Sequence, residues 1–422
     1  MLPIFNEYIK FLNNKTNNGL SILKEGTYWY DKSIIKAYDK EGTLQKIARI
    51  KVFDDLSIDF SFYKNYEKFD LETWEETISR KQQTLNSLEK ESLELIKKSK
   101  EMYPENKITV LTSTGKDSQV VEHLVKKLYG EDILVIFNNT TLDCADTYKY
   151  IKQETSPLKI ITPKQGFYQW REEYNFVPTR FSRACCNIFK ENAMVKDLDA
   201  EENYLFFMGM RNQESSTRSG YGDFWDNEKW KGRNWHAVLP IRKWSEEEIW
   251  LYTLKENIKI NTKYKKGYNR VGCAIACPYY TKSTWTLDEY WYPFLFQRWR
   301  NILIEDFRKN NKDLVLNCTE QEYLTCWNGG IYRDEPTKEV IQQFCDRNEL
   351  EYSIGQSFFG HKCECCGKKI KTKEVIGMNM KLNGRNTNKF YCKKHLMEMF
   401  NMTKEKWEDY VKDFKSRDCK LF

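Results

Sequence analysis

A chain of 422 residues, at roughly 100 to 200 residues per domain, predicts two or three domains and is long enough to bury a core without covalent staples. Apolar residues at 40%, charged residues at 31% and a mean hydropathy of −0.74 exclude a membrane-embedded protein, and 15% aromatic residues exclude a solvated, disordered polymer. The net charge is +7, and residues 361–422 carry 16 Lys and Arg against 8 Asp and Glu, so all of the excess lies in the tail. Such a module suits a surface that meets phosphates, although a solvated lysine-rich face has the same composition.

The opening stretch MLPIFNEYIKFLNN carries Glu7 and no basic run leading into an apolar segment, and nowhere do 18 apolar residues run together. No membrane is expected, and the cytoplasm is the expected location. Ala48, Ile50 and Val52, then Leu56, Ile58, Phe60 and Phe62, alternate on either side of Asp54 and Asp55, which predicts strand, turn, strand. Leu71 to Met102, with Trp74, Ile78, Leu85, Leu88, Leu93 and Ile96 at helical intervals, predicts one long amphipathic helix ending before Pro104.

From Lys107 onward the apolar runs ITVLT, ILVIFN, LKIIT and YLFFMGM alternate with helical stretches at Ser118–Leu128, Thr147–Gln153, Cys185–Val195 and Glu246–Glu256. That alternation predicts an α/β fold: a mainly parallel twisted sheet flanked by helices, preceded by a β plus long-helix extension and followed by a small zinc-binding module. The expected boundaries are 1–103 for the N-terminal region, 104–300 for a nucleotide-binding domain, 301–360 for a helical extension and 361–422 for the basic module.

The strand over Ile108–Leu111 runs through Thr112 into Ser113, Thr114, Gly115, Lys116, Asp117 and Ser118, and then into a helix. Small residues let the loop amides point inward, the helix N-terminus adds partial positive charge and Lys116 a full one, which together suit a phosphate or pyrophosphate. The hydroxyls of Ser113 and Ser118 can add bonds, and Asp117 can orient the loop or a magnesium ion. A plain strand-to-helix turn with a Ser or Asp cap would look similar.

The hexapeptide resembles the SGGKDS-type loop of the adenine nucleotide alpha hydrolase superfamily, in its phosphoadenylyl sulfate (PAPS) reductase-like branch. Asn139 to Thr147, NTTLDCADT, is similar to the DTGxxFPET segment of that branch, with Asn139 in place of Asp and Cys144-Ala145 in place of Phe-Pro. Gly209 to Arg218 resembles GxRxxES, Pro240 to Trp250 resembles PIxxWTxxDVW, and Tyr268 to Cys273 resembles GYxRIGC. The resemblance implies an adenine nucleotide, ATP with magnesium, held at the strand ends by residues 113–118, Asn139 and Arg218. It gives Lys116, Asp117 and Arg211 catalytic roles, with Arg211, Arg218 and Lys190 as candidate cations for the charge of the transition state.

The chain's 13 cysteines are too few and too clustered for a secreted disulfide scaffold, which points to reduced thiols or metal ligands. Cys185 and Cys186 with Cys273 and Cys277 offer the four thiolates of a 4Fe-4S cluster, with Pro278 after the last. Zinc on the same sulfurs and buried thiols are the alternatives. The resemblance favours the cluster, because adenylyl sulfate reductases and the iron-sulfur ATPase component of DNA phosphorothioation systems carry one on similar paired cysteines. The spacing Cys273 to Cys277 has three intervening residues where the reductase pattern has two.

Cys363, Cys366, Cys392 and His395 form a second signature, that of a treble-clef-like structural zinc finger, with Gly367 in the knuckle, Cys365 as a spare ligand, an Asn383-Gly384 hairpin turn, and a strand at Phe390-Tyr391 leading into a helix. The function expected is activation of an acceptor by ATP, as an adenylate, for sulfur transfer onto a nucleic acid such as DNA or tRNA, with a sulfur-donor protein as a further partner. A sulfonucleotide reductase is the first alternative, with Cys419 as its candidate nucleophile, and a nucleotide-dependent nucleic-acid-binding regulator the second.

Overall fold

The computed structural model describes residues 1–16, 23–173, 177–179, 184–214, 218–225, 227, 230–310, 320, 323–324, 327, 361–368, 370, 372–383, 387 and 389–416. Most of the segment expected to form a helical extension, 301–360, lies outside the described residues beyond Asn310, and so does Cys419. The chain divides into two compact units: residues 1–174, 186–276 and 281–296 in the first, and 175–185, 277–280 and 297–422 in the second.

The first unit opens with an antiparallel sheet, in the order β1 (Leu2–Pro3), β2 (Trp29–Asp31), β3 (Ile34–Tyr38), β4 (Leu44–Val52), β5 (Ile58–Phe62). The expected hairpin is there, with Ile50 opposite Phe60 and Val52 opposite Ile58. Leu56 is not in it: at φ +64 it turns the chain between β4 and β5. A register shift between Ile35 and Lys36 lets consecutive Ile47 and Ala48 both be buried, which simple alternation forbids. The long helix spans Trp74–Met102 and starts at a capping box, Thr73 accepting from the Glu76 amide and Glu76 accepting from the Thr73 amide.

The second sheet runs β10 (Phe224–Trp225), β11 (Trp235–Val238), β9 (Tyr204–Met208), β6 (Lys107–Thr112), β7 (Leu134–Asn138), β8 (Leu158–Ile161), parallel throughout except for the β10 edge. Alternate residues feed different cores. Val135, Leu205 and Phe207 join the cluster with Trp74, Leu85 and Ile96 of the long helix, whereas Ile136, Tyr204 and Phe206 join Met194, Trp230 and Trp235. Both faces are therefore covered, as a parallel sheet requires. The expected helix at Cys185–Val195 is Ala184–Cys186, a π-helical turn over Asn187–Glu191, and Asn192–Asp197.

In the second unit, a tight knuckle from His361 to Ile370 is followed by helices Lys373–Leu382, Lys393–Met399 and Lys404–Ser416 around Ile376, Met378, Phe390, Leu396 and Trp407. Among the described residues of the insert, a helix with Thr372 as N-cap stands where the hairpin was expected, and Asn383 is its C-cap. Phe390 and Tyr391 are not in a strand. Among the described residues, no helix is long and apolar enough to cross a membrane.

Candidate functional site

The chain enters β6, moves outward through β7 and β8, then crosses to the other side of β6 to form β9. The loops leaving the carboxyl ends of β6 and β9 are therefore adjacent at the point where strand order reverses, the place where open parallel sheets bind ligands. Residues 113–115 leave β6 and residues 209–211 leave β9. Their approach is close: a Cβ on Gly209 would lie 2.6 Å from the Asp117 carbonyl carbon and the Ser118 nitrogen, so no side chain fits there.

The helix Lys116–Tyr129 begins in this junction, with Gly115 as its N-cap. The left-handed residue of the loop is Thr114, at φ +56, and Gly115 is extended at φ −81. A Cβ on Gly115 would lie 3.1 Å from Ser113 Oγ and 3.4 Å from the Tyr264 hydroxyl, a tight fit against side-chain ends. Ser118 braces the loop from within, its hydroxyl donating to the Gly115 carbonyl at 2.9 Å and accepting from the Ser113 amide at 3.3 Å. The Lys116 amide donates to the Tyr264 hydroxyl at 2.9 Å.

Two buried cations sit on either side of a half-buried carboxylate. Lys116 Nζ lies 2.9 Å from Asp117 Oδ2 and 3.6 Å from Glu246 Oε1, and Arg211 Nε donates to Asp117 Oδ1. Lys116 and Arg211 are 6% and 5% exposed. Burial raises the Asp117 pKa, but the charges of Lys116 and Arg211 outweigh it and hold the carboxyl below its usual range. Burial likewise opposes the Lys116 charge, and Tyr264, Asp117 and Glu246 beside it keep the ammonium above its usual value. The junction thus holds a fixed carboxylate between two cations.

Arg218 is further along the same chain of bonds: it pairs with Glu214 Oε2, which accepts from the Arg211 amide at 3.1 Å. Asn139 lies in the loop after β7, where Oδ1 accepts from the Thr141 amide and the Tyr148 hydroxyl, both at 2.9 Å, and Nδ2 donates to Thr162 Oγ1 at 3.3 Å. The Lys190 carbonyl accepts from Asn138 at 3.1 Å. Asn261, Tyr264, Gly209 and Glu246 belong to the junction without having been singled out in the sequence. Gly209 and Glu246 lay inside recognisable segments, and Asn261 before Thr262 had only the signal of a helix cap.

The cysteine-bearing segment reaches the same loops. The Ala274 amide donates to the Leu142 carbonyl at 2.7 Å, and Cys273 Sγ lies 3.9 Å from Thr140 Oγ1. Cys273 and Cys186 belong to the first unit, and Cys185 and Cys277 to the second. Cys185 is buried, and Cys186, Cys273 and Cys277 are half-buried. The β-branched residues with left-handed backbones are Thr114, Thr141 and Ile275 among the described residues, one in each of these loops. Strained backbone of this kind concentrates where a site fixes its geometry.

In the second unit, the ligand atoms of Cys363, Cys366, Cys392 and His395 all lie within 4.8 Å of one another. His395 Nδ1 is 3.2 Å from Cys363 Sγ and 3.3 Å from Cys392 Sγ. A tetrahedral ion with bonds of about 2.0 to 2.3 Å can reach all four, so the donor set fits zinc. Gly367 takes φ +65 in the knuckle, a left-handed position that favours glycine. Burial raises the Cys363 thiol, but the amides of Cys392, Cys366 and Cys365 overcome it and bring the pKa down to about 6. Cys365 is exposed, as is Cys366.

Residues 107–278 match the family model described as the phosphoadenosine phosphosulfate reductase domain. An uncharacterized protein of Methanocaldococcus jannaschii is 29% identical over 63% of this chain, which spans 55% of that relative's length. An adenosine 5'-phosphosulfate reductase of Halalkalibacterium halodurans is 27% identical over 44% of this chain and 79% of its own. The U34-tRNA thiolase NcsA of Methanococcus maripaludis with its [4Fe-4S] cluster aligns over 76% of this chain and 93% of its own, at 14% identity and a TM-score of 0.30. The loop after β6, its glycine partner after β9 and the family match agree: residues 107–278 of the chain are similar to the phosphoadenosine phosphosulfate reductase domain.

Proposed function

We propose that the protein is an ATP pyrophosphatase that adenylylates an acceptor so that sulfur can be installed, the acceptor being a nucleic acid. The observation that carries this reading is the Lys116–Asp117–Arg211 cluster, two buried cations around a half-buried carboxylate, at the strand-order reversal and beside a helix N-terminus. An acceptor oxygen attacks the α-phosphorus of ATP, the bond to the bridging oxygen of the β-phosphate breaks, and its electron pair leaves with pyrophosphate. Lys116 and the loop amides stabilise the charge that develops on that leaving group, while Asp117 holds Lys116 and Arg211 in place and offers a carboxylate to magnesium.

Cys185, Cys186, Cys273 and Cys277 would hold a 4Fe-4S cluster, since four thiols are the donor number it takes, and the cluster would supply an iron site for sulfur chemistry. The C-terminal Cys/His group would hold a structural zinc ion, leaving no open coordination position. The basic surface of that module would meet the nucleic acid. A reductase acting on adenylyl sulfate is the second reading, favoured by the named relatives of that activity.

Pyrophosphate release from magnesium ATP by anaerobically purified protein, with DNA, tRNA or neither, tests the choice. Release that falls at least about 100-fold in Lys116→Ala is expected, a loss typical of removing one positioned charge at a developing anion. Sulfite release from adenylyl sulfate with a thiol reductant, and no pyrophosphate from ATP, would establish the reductase instead.

A further inference from the structure

Thr114 carries a conformational cost that glycine would not. Its φ of +56 is a left-handed backbone that a β-branched residue adopts only under constraint. In the SGGKDS-type loop that residues 113–118 resemble, this position is glycine. Something in this chain must replace the lost freedom, and the surroundings of Thr114 identify it.

Thr114 is fully buried, and so is Asn261. The Asn261 carboxamide donates to Thr114 Oγ1 at 3.0 Å and to Thr147 Oγ1 at 3.2 Å, and its oxygen accepts from the Lys263 amide at 3.0 Å. The Thr114 amide is also engaged, donating to Thr112 Oγ1 at 3.1 Å. Thr114 is thereby held from both its backbone and its side chain, and Asn261 is held through its own oxygen. Directly beyond, the amide of Lys116 is fixed on Tyr264, three residues after Asn261.

We propose that Asn261 is a positioning residue of the nucleotide site, which stabilises the left-handed Thr114 and so sets the direction of the loop amides at Gly115 and Lys116. The role rests on the reading of this loop as a phosphate site. A glycine loop reaches the same shape through backbone freedom. Here a buried side-chain bond substitutes for it, so Thr114 and Asn261 act as a pair.

The pair is tested at position 114 first. Thr114→Val keeps the branched shape and lacks the acceptor, Thr114→Ser keeps the acceptor, and Thr114→Gly needs no clamp. Magnesium ATP is expected to bind about ten-fold more weakly to Thr114→Val, as losing a buried hydrogen bond of roughly 1.4 kcal/mol implies, and within about two-fold of the parent for the Ser and Gly variants. Asn261→Ala is expected to weaken binding in the parent and to have little further effect in Thr114→Gly. Equal losses in both backgrounds, or a Val variant that binds like the parent, would overturn the pairing.

Hydrogen exchange of the Gly115 and Lys116 amides without nucleotide separates this inference from the functional reading. Faster exchange in Thr114→Val, with parent-like exchange in the Ser and Gly variants, is the expected pattern. Should the parent bind neither magnesium ATP nor adenylyl sulfate, the nucleotide reading fails and the exchange pattern alone decides the clamp. Uniform exchange across the Thr114 variants would remove it.

Discussion

Asp288 is 1% exposed; one carboxylate oxygen accepts from the Tyr268 hydroxyl at 2.7 Å, and the other has no hydrogen-bond partner among the described residues. Burial pushes its pKa up from 3.8 to about 7, against the smaller opposing pull of Lys263 and of the Tyr268 bond. The folded state therefore keeps a proton that the unfolded chain has already released above about pH 4. Stability from the protonated acid is complete below the unfolded pKa and is lost as pH rises through the folded one, by at most about 4 kcal/mol for a shift of this size. Urea unfolding midpoints measured from pH 4.5 to 8 are expected to fall through that window in the parent, and the fall should be much shallower in Asp288→Asn. Parallel curves would show that Asp288 titrates normally. Asp117 is the contrasting case, half-buried and ionised, because Lys116 and Arg211 flank it where Asp288 has one hydroxyl and the charge of Lys263.

At the level of elements, the helix Asn6–Thr16 docks against the segment that leads to Cys273. Gly267 sits at φ +94, and a Cβ there would lie 2.2 Å from the Tyr8 ring. Gly267→Ala is expected to lower stability by about 2 to 4 kcal/mol through overpacking and backbone strain. In a Tyr8→Ala background its cost should shrink toward the strain alone, about 1 to 2 kcal/mol, as thermal unfolding of the double-mutant cycle would read. An undiminished cost would place the clash elsewhere. The sequence made the pieces of this contact legible but not the contact. Ile50, Val52, Ile58 and Phe60 alternate, and Trp74, Leu85 and Ile96 recur on one helix face, because local burial writes a local period. Nothing local records that Tyr8 meets Gly267, that Tyr264 receives the Lys116 amide, or that Ser92 in the long helix donates to the Pro240 carbonyl at 2.8 Å. The loop after β6 was legible because a turn of small residues is itself a local signal, while its clamps come from residues about 150 positions away. In the tail, Asn383-Gly384 suggested a hairpin. The cap of Thr372 on the Val375 amide and the buried Val375, Ile376 and Asn379 made the preceding stretch a helix instead.

Across the whole molecule, the hydrophobic cores follow the division into units. Ile376, Phe390, Leu396 and Trp407 form a cluster of their own, and the sheets of the first unit rest on others. The finger's core is small, and its knuckle and the helix Lys393–Met399 converge on the Cys363, Cys366, Cys392 and His395 set. In a module of this size, metal binding free energy is largely folding free energy. Removal of the proposed zinc ion is therefore expected to unfold this module while leaving the junction around Lys116 intact. Treating the full chain with a zinc chelator and following hydrogen exchange should show protection lost in Lys404–Ser416 and retained in Lys116–Tyr129. Cys392→Ala should reproduce the pattern without chelator, which excludes an effect of iron removal elsewhere. The functional corollary follows from charge: residues 361–422 hold 16 basic against 8 acidic residues, so the nucleic-acid affinity proposed for the module depends on zinc and falls steeply with salt. The ATP binding proposed at Lys116 is expected to depend on neither. Simultaneous loss of protection in both segments would mean that the zinc set supports the whole chain, and nucleic-acid binding that survives in Cys392→Ala would assign that contact to another surface.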